Sequence, residues 1–145
     1  MNLEELMQQW EHDSKIDDNH LGEASTESPN LHSKYINIMV SYKLKLAKIR
    51  GDYNLLRKTK FRYYRGELSR QELEDLGWQQ WQGVKPLRNE MDEFLQGDTD
   101  LVQMEQKVEY LNTIVYFLEE VLRQIRQRDW QIRTAVDWKK FLVGM

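Results

Sequence analysis

Lys and Arg fill five of the ten positions in RKTKFRYYRG, residues 57–66, and Phe61, Tyr63 and Tyr64 add three aromatic rings. No acid interrupts them. Ammonium and guanidinium groups neutralise phosphates and release the counterions condensed on a nucleic acid. Flat rings offer stacking platforms to unpaired bases, at ~1–3 kcal/mol per base and with little sequence preference. Interleaved on the last turns of a helix, the two suit single-stranded nucleic acid better than duplex. A major-groove reader would more often carry Asn, Gln or Arg at base-reading spacing, behind a turn and a partner helix. The candidate ligands are Arg57, Lys58, Lys60, Phe61, Arg62, Tyr64 and Arg65. A second account puts the rings in the core and leaves the bases on a solvated face. It suits Tyr63 and Tyr64, which continue the helix's apolar face. It suits Lys58, Lys60, Arg62 and Arg65 less well, since none has an acid four residues away on either side.

Other chemistries find little footing. His12, His20 and His32 are scattered and lack HxxxH or HxH partners, so a metal centre is not expected. Glu4–Glu5 and Glu119–Glu120 are sequence neighbours, which on a helix point about 100° apart and do not form an acid–base dyad. Neither G-x-x-x-x-G-K-[ST] nor G-x-G-x-x-G occurs, and no Ser sits in a glycine-flanked elbow. The chain reads as a non-enzyme without a cofactor.

Charge is segregated although the net value is only −3. Lys43 to Arg65 holds nine bases and one acid, Asp52, whereas residues 1–30 hold eight acids and one base. Residues 66–120 are again acidic and residues 121–145 basic. Blocks of this size suggest a polyanionic partner or complementary contacts between subunits. The absence of cysteine suits a reducing cytoplasm. MNLEELMQQWEHD lacks the basic start and apolar run of a signal peptide, and no stretch approaches the ~18 apolar residues of a membrane span.

The elements that must position these groups are helical. Asn2 and Glu5 suggest a capping box for a helix over about residues 3–13, followed by a polar linker over 14–28. Ser28-Pro29 reads as a helix opening. From there Leu31, Tyr35, Ile38, Tyr42, Leu46, Ile49, Tyr53 and Leu56 recur at spacings of three and four, predicting one helix to about residue 65, ~54 Å long. Gly66 is placed to end it in a left-handed cap. Ser69–Glu72 is a second capping box. In GWQQWQGVKPL, Trp78 and Trp81 occupy a loop or broken helix and are expected to pack on the helices around it. A short amphipathic piece over about 86–96 precedes Gly97. Asp98 or Thr99 can cap the last long helix, whose Leu101, Met104, Val108, Leu111, Val115, Leu118, Leu122 and Ile125 form a heptad seam. Ile114, Phe117 and Val121 add a second apolar stripe, for which another subunit is the natural cover. The fold expected is all-α: a long antiparallel α-hairpin with short accessory helices, assembling into a homo-oligomer. It would be one domain, with an acidic N-terminal segment at 1–28, the hairpin at 29–125 around a variable middle at 67–97, and a self-association segment at 126–145.

Four stretches, PNLHSKY (29–35), KLKLAKIRGDYNLLRKTKFRYYRG (43–66), LVQMEQKVEYLNTIVYFLEEVLRQI (101–125) and QIRTAVDWKKF (131–141), resemble the UvsY recombination mediator proteins of T-even-like phages, including those of cyanobacterial viruses. The basic pair followed by Tyr-Tyr-x-Gly, and the IR-x-A-[IV]-[DE]-W-[KR]-K-F tail, are the specific parts. The resemblance implies a protein of the infected host's cytoplasm that acts in phage recombination, recombination-dependent replication and repair. It implies a ring-like homo-oligomer, hexameric or heptameric, that binds single-stranded DNA. It also implies loading of a RecA-like recombinase of the UvsX type onto DNA coated by the phage single-strand-binding protein, with contacts to both. The family's DNA-binding pair falls on Lys58 and Lys60, and its assembly region on about Asp129 to Met145. Candidate self-association residues are Leu118, Leu122, Ile125, Trp130, Ile132, Val136, Trp138 and Phe141. The Trp78 and Trp81 stretch has no counterpart in the pattern. Two rival readings are a helical scaffold that binds no nucleic acid and a membrane-surface protein using its basic C-terminal helix.

Overall fold

Asn2 and Glu5 do close a reciprocal capping box: the Asn2 side chain accepts from the Glu5 amide at 2.8 Å, and Glu5 Oε2 accepts from the Asn2 amide at 3.2 Å. They open α1 (Leu3–Asp13). The computed structural model describes all residues from 1 to 145 and continues with α2 (Leu21–Tyr64), α3 (Arg70–Leu76), α4 (Met91–Gln96) and α5 (Thr99–Leu142). The chain is all-helical, and no helix is long and apolar enough to cross a membrane.

Three boundaries differ from the sequence expectation. The second helix starts at Leu21, so Pro29 lies inside it rather than at its head. Asp17 Oδ1 accepts the Asn19 amide at 2.9 Å in the turn before the helix, and Ala24 N donates to His20 O at 3.0 Å at its start. An interior proline removes one ladder bond and costs ~3 kcal/mol. Burial offsets that cost, because Ala24, Ser28, Leu31 and Tyr35 form one buried stripe that begins before the proline. The last helix runs unbroken from Thr99 to Leu142, so the basic C-terminal stretch continues the heptad-bearing helix. The amphipathic piece before it shrinks to Met91–Gln96.

The chain divides into two compact units, residues 1–44 with 112–145, and residues 45–111. In the first, Lys43 pairs with Glu119 at 3.5 Å while Ser28 and His32 share a groove with Ile125 and Asp129, so α2 and α5 run antiparallel. Leu6, Leu31, Tyr35, Ile114, Leu118 and Val121 form its core. Trp10 packs edge-on against Tyr35, with ring centroids 5.3 Å apart, and donates to Gln124 at 3.3 Å. The Tyr35 hydroxyl and the Lys34 ammonium both donate to Asp13, at 2.8 and 2.6 Å, tying the end of α1 down.

This core corrects part of the self-association expectation. Leu118, Leu122, Ile125 and Ile132 are buried within the chain itself, because α5 turns its seam onto α1 and α2. Trp130, Trp138 and Phe141 are 69%, 58% and 70% exposed, and Val136 is half-buried.

In the second unit, Tyr64, Met91, Leu95 and Leu101 are the buried centre, with Tyr53, Leu56, Tyr63, Trp81 and Phe94 around them. The end of α2 is fixed by Gly66, whose φ is +71°, with Gly66 N donating to Tyr63 O and Glu67 N to Arg62 O at 3.0 and 2.9 Å. This double bond pattern is the Schellman cap. A Cβ there would also meet the Lys85 side chain at 3.2 Å. Gly66→Ala is therefore expected to lower stability by about 1–2 kcal/mol, read as a lower urea midpoint at unchanged slope.

Candidate nucleic-acid interface

The basic–aromatic block splits by helical phase. Leu46, Ile49, Tyr53 and Leu56 place the inward face of α2, and at the same spacing the next positions are Lys60, Tyr63 and Tyr64. Lys58, Phe61, Arg62 and Arg65, at i, i+3, i+4 and i+7, share a different, outward face.

The inward residues form a polar knot. Lys60 is 7% exposed, and its ammonium lies 3.1 Å from Asp98 and 2.9 Å from Asp100. It also sits 4.3 Å from the centroid of the Trp78 ring, a cation–π contact. The buried Tyr64 hydroxyl donates to Asp98 Oδ2 at 2.6 Å, and Asp98 Oδ1 accepts the Leu101 amide at 3.0 Å as the cap of α5. Burial alone would raise the Asp98 carboxyl, but the bonds from Tyr64, Leu101 and Lys60 outweigh it and hold it below the usual carboxylate range. Burial alone would lower the Lys60 ammonium, but Asp100 and Asp98 hold it above its usual value. Burial, helped by Asp98, pushes the Tyr64 phenol well up.

Above the knot the aromatic side chains interlock edge-on. Tyr63 packs against Trp78 at 5.3 Å, Tyr64 against Trp81 at 4.9 Å, and Tyr64 against Phe94 at 5.7 Å. The two Trp residues therefore pack on the end of α2, as the loop reading expected, and Trp81 borders the second unit's buried centre. Lys60 and Tyr64 are corrected as surface ligands: in this conformation one is neutralised by two carboxylates and the other is sealed among rings. The signal lay in the spacing, because position 60 continues the inward seam.

The outward residues remain at the surface. Lys58 is exposed and makes no ion pair. The Phe61 ring is 36% exposed, with the Arg65 guanidinium 5.5 Å from its centroid. Arg62 makes a two-pronged bond to Glu72 at 2.8 and 3.0 Å, Arg65 pairs with Glu67 at 2.9 Å, and Arg57 reaches Asp92 at 3.4 Å. The Arg57 and Arg65 pairs are exposed and worth little against a competing phosphate, whereas the bidentate Arg62–Glu72 pair is the firmer of the three. Next to Phe61 and Arg65 the loop after α3 brings Arg88, which sequence reasoning missed because only the fold carries it there. No three His, Asp or Glu side chains converge as metal ligands.

One face of α2 thus presents exposed cations and a partly open ring on an all-helical scaffold. Residues 9–145 match the family described as "Recombination, repair and ssDNA binding protein UvsY", and the chain belongs to that family. It is 24% identical over 144 residues to the recombination protein uvsY of Enterobacteria phage T4, covering 99% of each chain. Its fold matches crystal structures of the bacteriophage T4 recombination mediator protein UvsY. One gives a TM-score of 0.87 at 24% identity over 99% of both chains, and another 0.81 at 23% identity over 97% of this chain and 98% of that one.

Proposed function

We propose that this protein is a recombination mediator: it grips single-stranded DNA through the outward face of α2 and helps a RecA-like recombinase load onto strands coated by a single-strand-binding protein. The observation that carries the reading is the outward stripe itself, with Lys58 unpaired and Phe61 open beside Arg62 and Arg65. Arg57, Lys58, Phe61, Arg62 and Arg65 are the DNA ligands of this reading; Lys60 and Tyr64 hold the helix that presents them. Self-assembly into a ring through the exposed C-terminal aromatics would repeat the stripe, so modest sites combine by avidity. A strand held along such a ring would follow an altered path and lose contacts with its coating protein. No hydrolysis is needed, and the work is done inside the infected host cell.

Lys58→Ala is expected to weaken binding to single-stranded oligonucleotides and to flatten the plot of log K against log salt by about 0.7, the share of one phosphate contact, with helicity and thermal stability unchanged. Titration by fluorescence anisotropy across a salt series checks it. An unchanged slope would remove Lys58 from the interface.

A further inference from the structure

A groove of about 550 Å³ lies between the end of α2 and the loop leading into α4, lined by Phe61, Arg65, Pro86, Leu87, Arg88 and Met91. Its volume falls within the ~300–1,000 Å³ of small-ligand sites. Leu87 is 63% exposed although it faces this groove, and Phe61 shows part of its ring there. The floor is thus apolar and open. The rim carries two guanidinium groups: Arg65 lies over the Phe61 ring and pairs with Glu67 at 2.9 Å, an exposed pair that a phosphate can replace, while Arg88 is exposed and without an ion pair. No acidic side chain lines the groove. One aromatic ring and an aliphatic floor beneath two guanidinium groups match a ligand with an apolar planar part and an anionic part.

We infer that this groove seats one unpaired nucleobase of a bound strand, stacked on Phe61 and Arg65, with the adjoining phosphate on Arg88. The inference rests on the single-stranded DNA reading above and adds a base-receiving subsite to it. A base entering here extends the existing ring–guanidinium stack, since arginine planes and aromatic faces both stack on bases. Pro86 has its φ fixed by its ring, which limits the freedom of the loop that carries Arg88. An acidic peptide is the rival occupant; it would use the arginines but gain nothing particular from the ring.

The test compares labelled oligothymidylate with an abasic strand of equal length, which keeps the phosphates and lacks the bases. Phe61→Leu is expected to weaken oligothymidylate binding about five- to hundredfold, the range of one base–aromatic stack, and to leave the abasic strand unaffected. Phe61→Tyr keeps a ring and should restore wild-type binding. Arg88→Gln is expected to weaken both strands and lower the salt slope by about 0.7. Oligothymidylate carrying 5-iodouracil should photocrosslink to the peptide containing Phe61, and oligoglutamate should not displace it. Equal affinity of Phe61→Leu and wild type for oligothymidylate, or equal loss on both strands, overturns the subsite, as does displacement of the crosslink by oligoglutamate. Those results are separable from failure of the wider reading, in which the wild-type protein would bind neither strand.

Discussion

Asp98→Ala is expected to be the most destabilising single exchange of a polar side chain in the second unit, by about 3–5 kcal/mol, the cost of breaking a buried ion pair from one side. One carboxylate caps α5 at the Leu101 amide, accepts the Tyr64 hydroxyl and faces the Lys60 ammonium. Alanine removes all three contacts and leaves Lys60 with Asp100 alone. Asp98→Asn keeps a cap acceptor and a partner for Tyr64, so its loss should be clearly smaller. Urea unfolding of the three proteins gives the order. The pH dependence has a definite sign. The Asp98 carboxyl is depressed in the folded chain, so its contribution is present above the ordinary value near ~3.9 and fades as pH falls through the lower folded value. Lys60 is raised, so its contribution is present below the ordinary value near ~10.4 and fades as pH rises through the higher folded one. The gap between wild type and Asp98→Ala should therefore be flat from about pH 5 to 10 and narrow outside that window. A gap below ~1 kcal/mol at pH 7 would mean that Lys60 finds water, and the knot would lose its structural role.

On the proposed self-assembly, replacing Trp138 and Phe141 together by Ser is expected to leave single chains. The two rings stack at 5.5 Å and are largely exposed, and Leu142, Val143 and Met145 extend the apolar surface. Contiguous exposed apolar surface is what a contact with another molecule would cover, and the proposed ring assigns it to a second copy. Because neither ring is buried, helicity should persist. Sedimentation should show the single-chain mass at concentrations where wild type is larger. Affinity for long single strands should drop about 10²- to 10⁴-fold as avidity is lost, while an oligonucleotide too short to meet two copies should bind as before. A doubly substituted protein that still assembles would move the contact elsewhere.

Local rules made much of the fold legible. Asn2–Glu5, Ser69–Glu72 and Gly66 announce their caps in the sequence, and each is realised. Pro29 misled because a proline at a helix head and one tolerated inside a helix look alike until Ala24 is seen to be buried. Lys60 misled differently. Its charge argued for solvent and its phase for the core, and the deciding partner, Asp98, lies 38 positions away at the head of another helix. Arg128 repeats the case: it occupies an inward position of α5, is 5% exposed, and reaches only the Ser14 carbonyl, at 3.5 Å. For the outward stripe, Lys58, Phe61, Arg62 and Arg65 could be read from spacing alone. Arg88 could not, since no periodicity says where a loop will lay its side chain.

The unbroken run of α5 makes it a shaft. Its turns from Ile114 to Ile125 are keyed into the core, and its far end carries Trp138 and Phe141. Removing one residue between those stretches would swing the two rings about 100° around the axis. Neighbouring copies docking on them would then meet at a new azimuth, and whether a circle of subunits shuts or spirals onward depends on that angle.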